Sequence, residues 1–258
     1  MSSVGSQVYL LARRSVRRTL RQPVLIVPTI TFPLLLMAIN SGGLNAATDI
    51  PGFPADSFIQ FALVVTFMQG ALFSATAAGT GLATDIQTGF LNRLALTPMR
   101  GAAVLLGQLA GAVALALLGA LSYLAVGLIA GAHVDSGPLG AVVLVLFAML
   151  VALGFGAIGT LMAIRTGSAE AVQGLFPLLF VVLFLSSMNL PRNLIAIDWF
   201  QTVATINPVS YLIEGMRSLV IARWDWETLL LGLGVGLAIA ALALAASAAS
   251  LRTRLGRA

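Results

Sequence analysis

Three groups of residues in this sequence could do chemistry. The first is five neutral polar residues scattered through apolar runs: Asn40, Gln69, Tyr123, Gln173 and Asn189. None ionises near neutral pH, and no pair of carboxylates accompanies them for general acid–base work. No HExxH or GxSxG occurs. The second group is the stretch Gly89-Phe90-Leu91-Asn92-Arg93-Leu94-Ala95-Leu96-Thr97-Pro98, a polar interruption ended by proline. The third is Ile206-Asn207-Pro208-Val209-Ser210-Tyr211-Leu212-Ile213-Glu214-Gly215-Met216-Arg217. Glu214 and Arg217 are three apart there, so on a helix they would be neighbours and could pair. The functional reading of that pair is a gate; the plain one is an interfacial ion pair of small net value.

Composition removes other chemistry. Cysteine is absent, so there is no thiolate nucleophile, disulfide or cysteine-based metal site. All 14 basic residues are Arg. Without Lys there is no Schiff-base chemistry and no complete phosphate-binding P-loop. The one histidine, His133, stands beside a loop and reads as a solvated residue. Gly232–Gly236, GLGVG, has the look of a nucleotide-loop fragment but lies inside an apolar run and reads as packing glycine. No metal or cofactor site is expected in this chain.

What must position these residues is a membrane. Of 258 residues 59% are hydrophobic and 9% charged, against about a quarter charged in soluble domains. The apolar residues come in blocks of span length. Six spans are expected: 24–40, 58–82, 102–132, 138–163, 171–189 and 229–250. Pro28 and Pro33 predict a kink in the first. The fold class is thus an all-α polytopic membrane protein, residues 1–258 forming one transmembrane domain. It comprises an amphipathic helix over 1–22, six spans within 23–250 and a tail over 251–258.

Arginine distribution orients it. The N-terminus carries Arg13, Arg14, Arg17, Arg18 and Arg21. The loop after span two has Arg93 and Arg100, the loop after span four has Arg165, and the tail has Arg252, Arg254 and Arg257. The other side has only Arg192, Arg217 and Arg223. Both termini are therefore expected in the cytoplasm, in the plasma (inner) membrane. A cleaved signal peptide over 1–47 is the rival, but it would leave five spans and break the alternation.

At helical spacing the five N-terminal arginines share one arc, with Val8, Tyr9, Leu11, Ala12, Val16 and Leu20 outside it. This predicts an interfacial helix with Arg toward headgroups and apolar side chains in lipid; a basic tail that only fixes orientation is the alternative. Segment 190–228 is too charged to span, yet Trp199, Trp224, Trp226 and runs such as LIAIDWF suit the membrane boundary. Short helices dipping into the outer leaflet are expected there. The GxxxG pairs Gly107–Gly111, Gly127–Gly131 and Gly232–Gly236 point to general close helix packing.

A carrier driven by ions usually places carboxylates in mid-membrane. With only neutral polar groups there, uphill transport would need energy from another polypeptide acting on a cytoplasmic surface. The 85–101 loop suits that best, because Phe90, Leu91 and Leu94 can share one face of a short helix for docking in a partner's groove. A plain interhelical turn resting on the bilayer is equally consistent. On the docking reading, Asp at Leu91 and Leu94 should spare insertion and weaken docking.

Asp85–Gln108 resembles the cytoplasmic loop of ABC-2 type exporter permeases, with Gly89, Leu91, Arg93, Leu94, Thr97 and Pro98 at the family's Gly, x-Leu-x-Arg-Leu and Thr-Pro positions. The family often has Glu just before the glycine. Here Gln87 and Thr88 stand there, and Asp85 is the acidic residue of that end. Asn207, Pro208, Tyr211, Glu214 and Arg217 are similar to the family's Asn-Pro-x-x-Tyr-x-x-Glu-x-x-Arg segment before the last span. Size and loop lengths are most similar to the daunorubicin-resistance, DrrB-like branch. The resemblance implies a permease subunit without its own ATPase site. It would pair with a second membrane subunit, as homodimer or related heterodimer. Two copies of a separate ATPase, which would hold ATP and magnesium, would power it. Gly89 to Pro98 would be the coupling helix, the N-terminal helix would help seat the ATPase, and transport would run outward. Few aromatics favour a hydrophobic or amphiphilic cargo (drug, lipid or natural product) over a polysaccharide or glycolipid. An energy-independent scaffold or signalling subunit is the alternative from another class. No nucleic-acid partner is expected.

Overall fold

The computed structural model describes residues 4–95 and 101–255, all of whose regular structure is helical. In chain order these are α1 (Val4–Leu20), α2 (Pro23–Gly43), α3 (Phe58–Gln87), α4 (Phe90–Ala95), α5 (Gly101–Ile129), α6 (Gly137–Thr166), α7 (Ala169–Phe184), α8 (Asp198–Ile206), α9 (Pro208–Val220) and α10 (Trp226–Leu255). Short 3-10 turns occur at Asn45–Asp49 and Arg192–Leu194. Among the described residues, α2, α3, α5, α6 and α10 are long and apolar enough to cross a membrane. The fifth expected span is shorter than the sequence predicts. α7 has 16 residues and stops at Phe184 rather than reaching 189.

α3 is the hub, packed against α2, α5, α6 and α7. Its closest partner is α6, where a Cβ on Gly159 would stand 2.0 Å from the Ala75 carbonyl oxygen. With little hydrophobic drive between helices in lipid, such backbone approach is how spans hold together.

The expected kink in α2 is not a break. α2 runs through Pro28 and Pro33 as one helix. Proline at 33 removes the N–H that would bond the Thr29 carbonyl four residues back. The buried Tyr123 hydroxyl of α5 donates to that same carbonyl instead. A backbone acceptor that lipid could not satisfy is thereby satisfied.

Charge is sorted by end. The C-terminal ends of α3, α6 and α10 meet near α1: Arg14 reaches Asp85, Arg254 donates to the Ile164 carbonyl, and Gly167 lies beside Ile86 and Arg254. We call this the arginine-rich end. The opposite end holds the 130–136 turn and the 190–225 segment, tied together by Gln60. Its amide donates to the carbonyls of His133 (3.2 Å) and Val220 (3.0 Å).

Candidate functional site

At the arginine-rich end, α1 lies along α5. The Gly107–Gly111 pair makes the bed: a Cβ at 107 would come 2.4 Å from the Leu11 Cβ, and one at 111 would come 2.5 Å from the Ser15 Oγ. Ser15 donates to the Gln108 carbonyl at 2.9 Å. This GxxxG therefore receives the N-terminal helix specifically. Leu11 and Ser15, one turn apart, face inward, while Tyr9, Leu10 and Leu20 stay exposed.

The expected uniform arginine face is divided. Arg13, Arg17 and Arg21 point outward. Arg14 and Arg18 turn inward to the buried Asp85 at the end of α3. Arg14 forks onto both Asp85 oxygens at 2.9 Å, and Arg18 adds a bond at 3.1 Å while also reaching the Gly81 carbonyl. A bidentate arginine–carboxylate pair fixes direction as well as distance. The hydrogen bonds that Arg14 donates to Asp85 raise the Arg14 pKa above its ordinary value, against the opposing effect of burial.

The chain then breaks at Gly89, whose φ of 70° favours a residue without Cβ. α4 follows. Phe90 lies under the Arg14 guanidinium, 3.9 Å from ring centroid to Cζ, a cation–π contact. One arginine thus touches the end of α3 and the start of α4 together. Leu91 does not face outward as expected. It is 2% exposed, in a cluster with Leu82, Val104 and Leu105. It anchors α4 to the bundle, so Asp at Leu91 would break internal packing rather than spare it. Arg93 is exposed. The Leu94 side chain, Thr97 and Pro98 lie outside the described residues.

At the other end, two of the five matched residues of the second motif, Asn207 and Arg217, bracket the end of α7 and the chain after it. Asn207 caps α9 by accepting from Val209 N–H at 2.9 Å, with Pro208 at the first helical position. Its amide donates to the carbonyls of Val182 (2.7 Å) and Leu185 (3.0 Å). Arg217 donates to the carbonyls of Ser187 (2.6 Å) and Met188. The last carbonyls of a helix have no partner within it. Here Asn207 takes the Val182 carbonyl of the last turn and the Leu185 carbonyl just after it, and Arg217 holds the chain that follows, so α7 can stop early.

The expected Glu214–Arg217 pair is not formed. Glu214 binds Arg192 through two bonds instead. Arg192 also stacks over Tyr211 at 4.6 Å. Burial opposes the Arg192 charge, but Glu214 and Tyr211 outweigh it and its pKa lies above the ordinary value. Spacing by three suggested a local pair; the geometry uses an arginine 22 residues away. Asp85 was similarly readable only as an isolated acid near a helix end, with its partner 71 residues earlier.

Comparison with known proteins places the chain in a family. The chain is 28% identical over 211 residues to the daunorubicin resistance ABC transporter permease protein DrrB1 of Streptomyces coeruleorubidus, covering 77% of this chain and 69% of that protein. It is 22% identical over 216 residues to the probable doxorubicin resistance ABC transporter permease protein DrrC of Mycobacterium tuberculosis, covering 84% and 77%. It is 27% identical over 229 residues to the putative transport permease ycf38 of Porphyra purpurea, covering 85% and 75%. Residues 6–221, from α1 to the end of α9, match the family described as ABC-2 type transporter, and the chain belongs to that membrane family.

Proposed function

We propose that this chain is the membrane subunit of an ATP-driven exporter of hydrophobic or amphiphilic molecules, powered by a separate ATPase that holds ATP and magnesium. The observation that carries this reading is the contact of Arg14 with both Asp85 and Phe90. It joins α1, α3 and α4 at one end of the bundle, where a partner could push. In this reading α4 and the 96–100 segment are the coupling element. α1 and the arginine-rich end face the cytoplasm, two membrane subunits pair, and α7 with residues 185–191 completes a sixth pass. At about 1.5 Å per residue α7 alone falls short of a ~30 Å hydrocarbon core. The α8–α9 bracket would then sit in the outer leaflet, where its irregular backbone is satisfied by protein.

A groove of about 390 Å³ between α2, α3 and α7 supports an amphiphilic cargo. Phe73 and Phe176 supply apolar wall, and Thr29, Thr76, Thr80 and Gln173 supply neutral polar groups. Ligand pockets commonly combine an apolar lining with a few placed hydrogen-bonding groups.

The test is co-expression with a candidate ATPase. The two should purify together, and amphiphiles such as daunorubicin should stimulate ATP hydrolysis only when this chain is present. Failure of every candidate ATPase to associate would overturn the reading.

A further inference from the structure

The far end holds a cavity of about 490 Å³ that the transport reading does not use. Pro54, Phe61 and Ile221 give it apolar wall, and Asn193, Ser218 and Thr228 give it neutral polar groups. Four charged residues line it. Two of them, Arg192 and Glu214, neutralise each other. Asp225 is committed to the start of α10, accepting from the Thr228 hydroxyl at 2.6 Å and from the Thr228 N–H.

Arg217 is different. It is 7% exposed, with its guanidinium 3.4 Å from the Phe61 ring centroid. Its Nη atoms donate to carbonyls, and its buried Nε–H finds no acceptor among the described residues. Guanidinium has five N–H donors and is always charged. No carboxylate stands within ion-pair distance of it among the described residues. A buried cation at a membrane site, with unused donors and an open cavity beside it, matches an anion with several acceptor oxygens.

We propose that this cavity binds the headgroup of an anionic amphiphile, with the oxyanion held by Arg217 and the Asn193 amide, and the apolar part resting on Phe61 and Ile221. A phosphate is the fitting oxyanion, whether it belongs to a lipid or is free. That the headgroup comes from the outer leaflet rests on the orientation proposed above. The melting test below does not, so either can fail alone.

Thermal unfolding of the purified full-length chain in neutral detergent would be followed with dihexanoylphosphatidylglycerol, dihexanoylphosphatidylcholine or inorganic phosphate added. A saturable rise in Tm with the glycerol lipid, larger than with the choline lipid, is expected. It should disappear in Arg217→Gln. Because Arg217 also holds the Ser187 and Met188 carbonyls after α7 and its loss could unfold the protein, Ala222→Trp is the second variant. Ala222 is exposed and lines the cavity, so the substitution fills it without touching Arg217. An equal rise with inorganic phosphate supports the site and assigns it a soluble anion. An equal rise with the choline lipid, or an undiminished rise in Ala222→Trp, overturns the proposal. Orientation is read separately: the chain has no cysteine, so Ala222→Cys should react with an impermeant thiol reagent added outside.

Discussion

Two residues show most clearly how much one side chain decides. The Tyr123 hydroxyl replaces the backbone donor that Pro33 lacks, holding the Thr29 carbonyl inside an apolar bundle. Tyr123→Phe should destabilise the protein by about 1–3 kcal/mol, the cost of a buried unsatisfied acceptor. Pro33→Ala returns an N–H to the same carbonyl, so the double variant should recover much of that loss. Thermal unfolding in detergent of the two single variants and the double one would check this. A Tyr123→Phe cost that Pro33→Ala leaves unchanged would refute the pairing. Asp85 is the second case. Its polar character and helix-end position were plain in the sequence, but its partners were not, because helical spacing reports neighbours three or four apart and Arg14 lies far upstream. The same limit explains the mistaken Glu214–Arg217 pair. Their spacing points to each other, but Glu214 pairs with Arg192 and Arg217 with backbone carbonyls.

At the scale of elements, the long apolar helices were legible because block length and hydropathy suffice to find them. The end of α7 was not, since it depends on Asn207 and Arg217 taking over carbonyls from across the fold. α1 was legible as an amphipathic helix, but periodicity assigned its apolar side to lipid when part of it meets α5. That contact makes a prediction. Gly111→Val should leave α2 to α10 assembled but displace α1, because Ser15 leaves no room for the new side chain. Limited proteolysis at the N-terminal arginines should then become faster, while the α5 replacement Leu121→Val, at an exposed position, should change nothing. Leu91→Asp should behave differently. Burying an unpaired carboxylate beside Leu82 and Leu105 costs several kcal/mol, so loss of folded protein is expected rather than a well-folded, uncoupled subunit. Normal yield and melting of Leu91→Asp would show that α4 is free of the bundle.

For the whole molecule, the sorting of arginines to one end is a physical statement about orientation. Single cysteines introduced at Arg17 and at Asn193, in this cysteine-free chain, should label from opposite sides of intact cells. Asn193 is expected to react with an impermeant reagent added outside, and Arg17 only after permeabilisation. Labelling of both from one side would remove the proposed topology. The arrangement also suggests how force would travel. α3 spans the bundle from Gln60, which ties the far-end turns, to Asp85, which holds α1 and stands beside α4. A push on α4 or α1 would thus reach the centre of the bundle through one helix.

We propose that a separate ATPase drives transport through the Asp85 junction. The most direct test is ATP-dependent efflux of an amphiphile such as daunorubicin from vesicles containing this chain and its ATPase. The original pair should export only with ATP, and Asp85→Asn should still bind the ATPase yet lose most of that export. Full export by Asp85→Asn, or export by this chain with no ATPase present, would contradict the account.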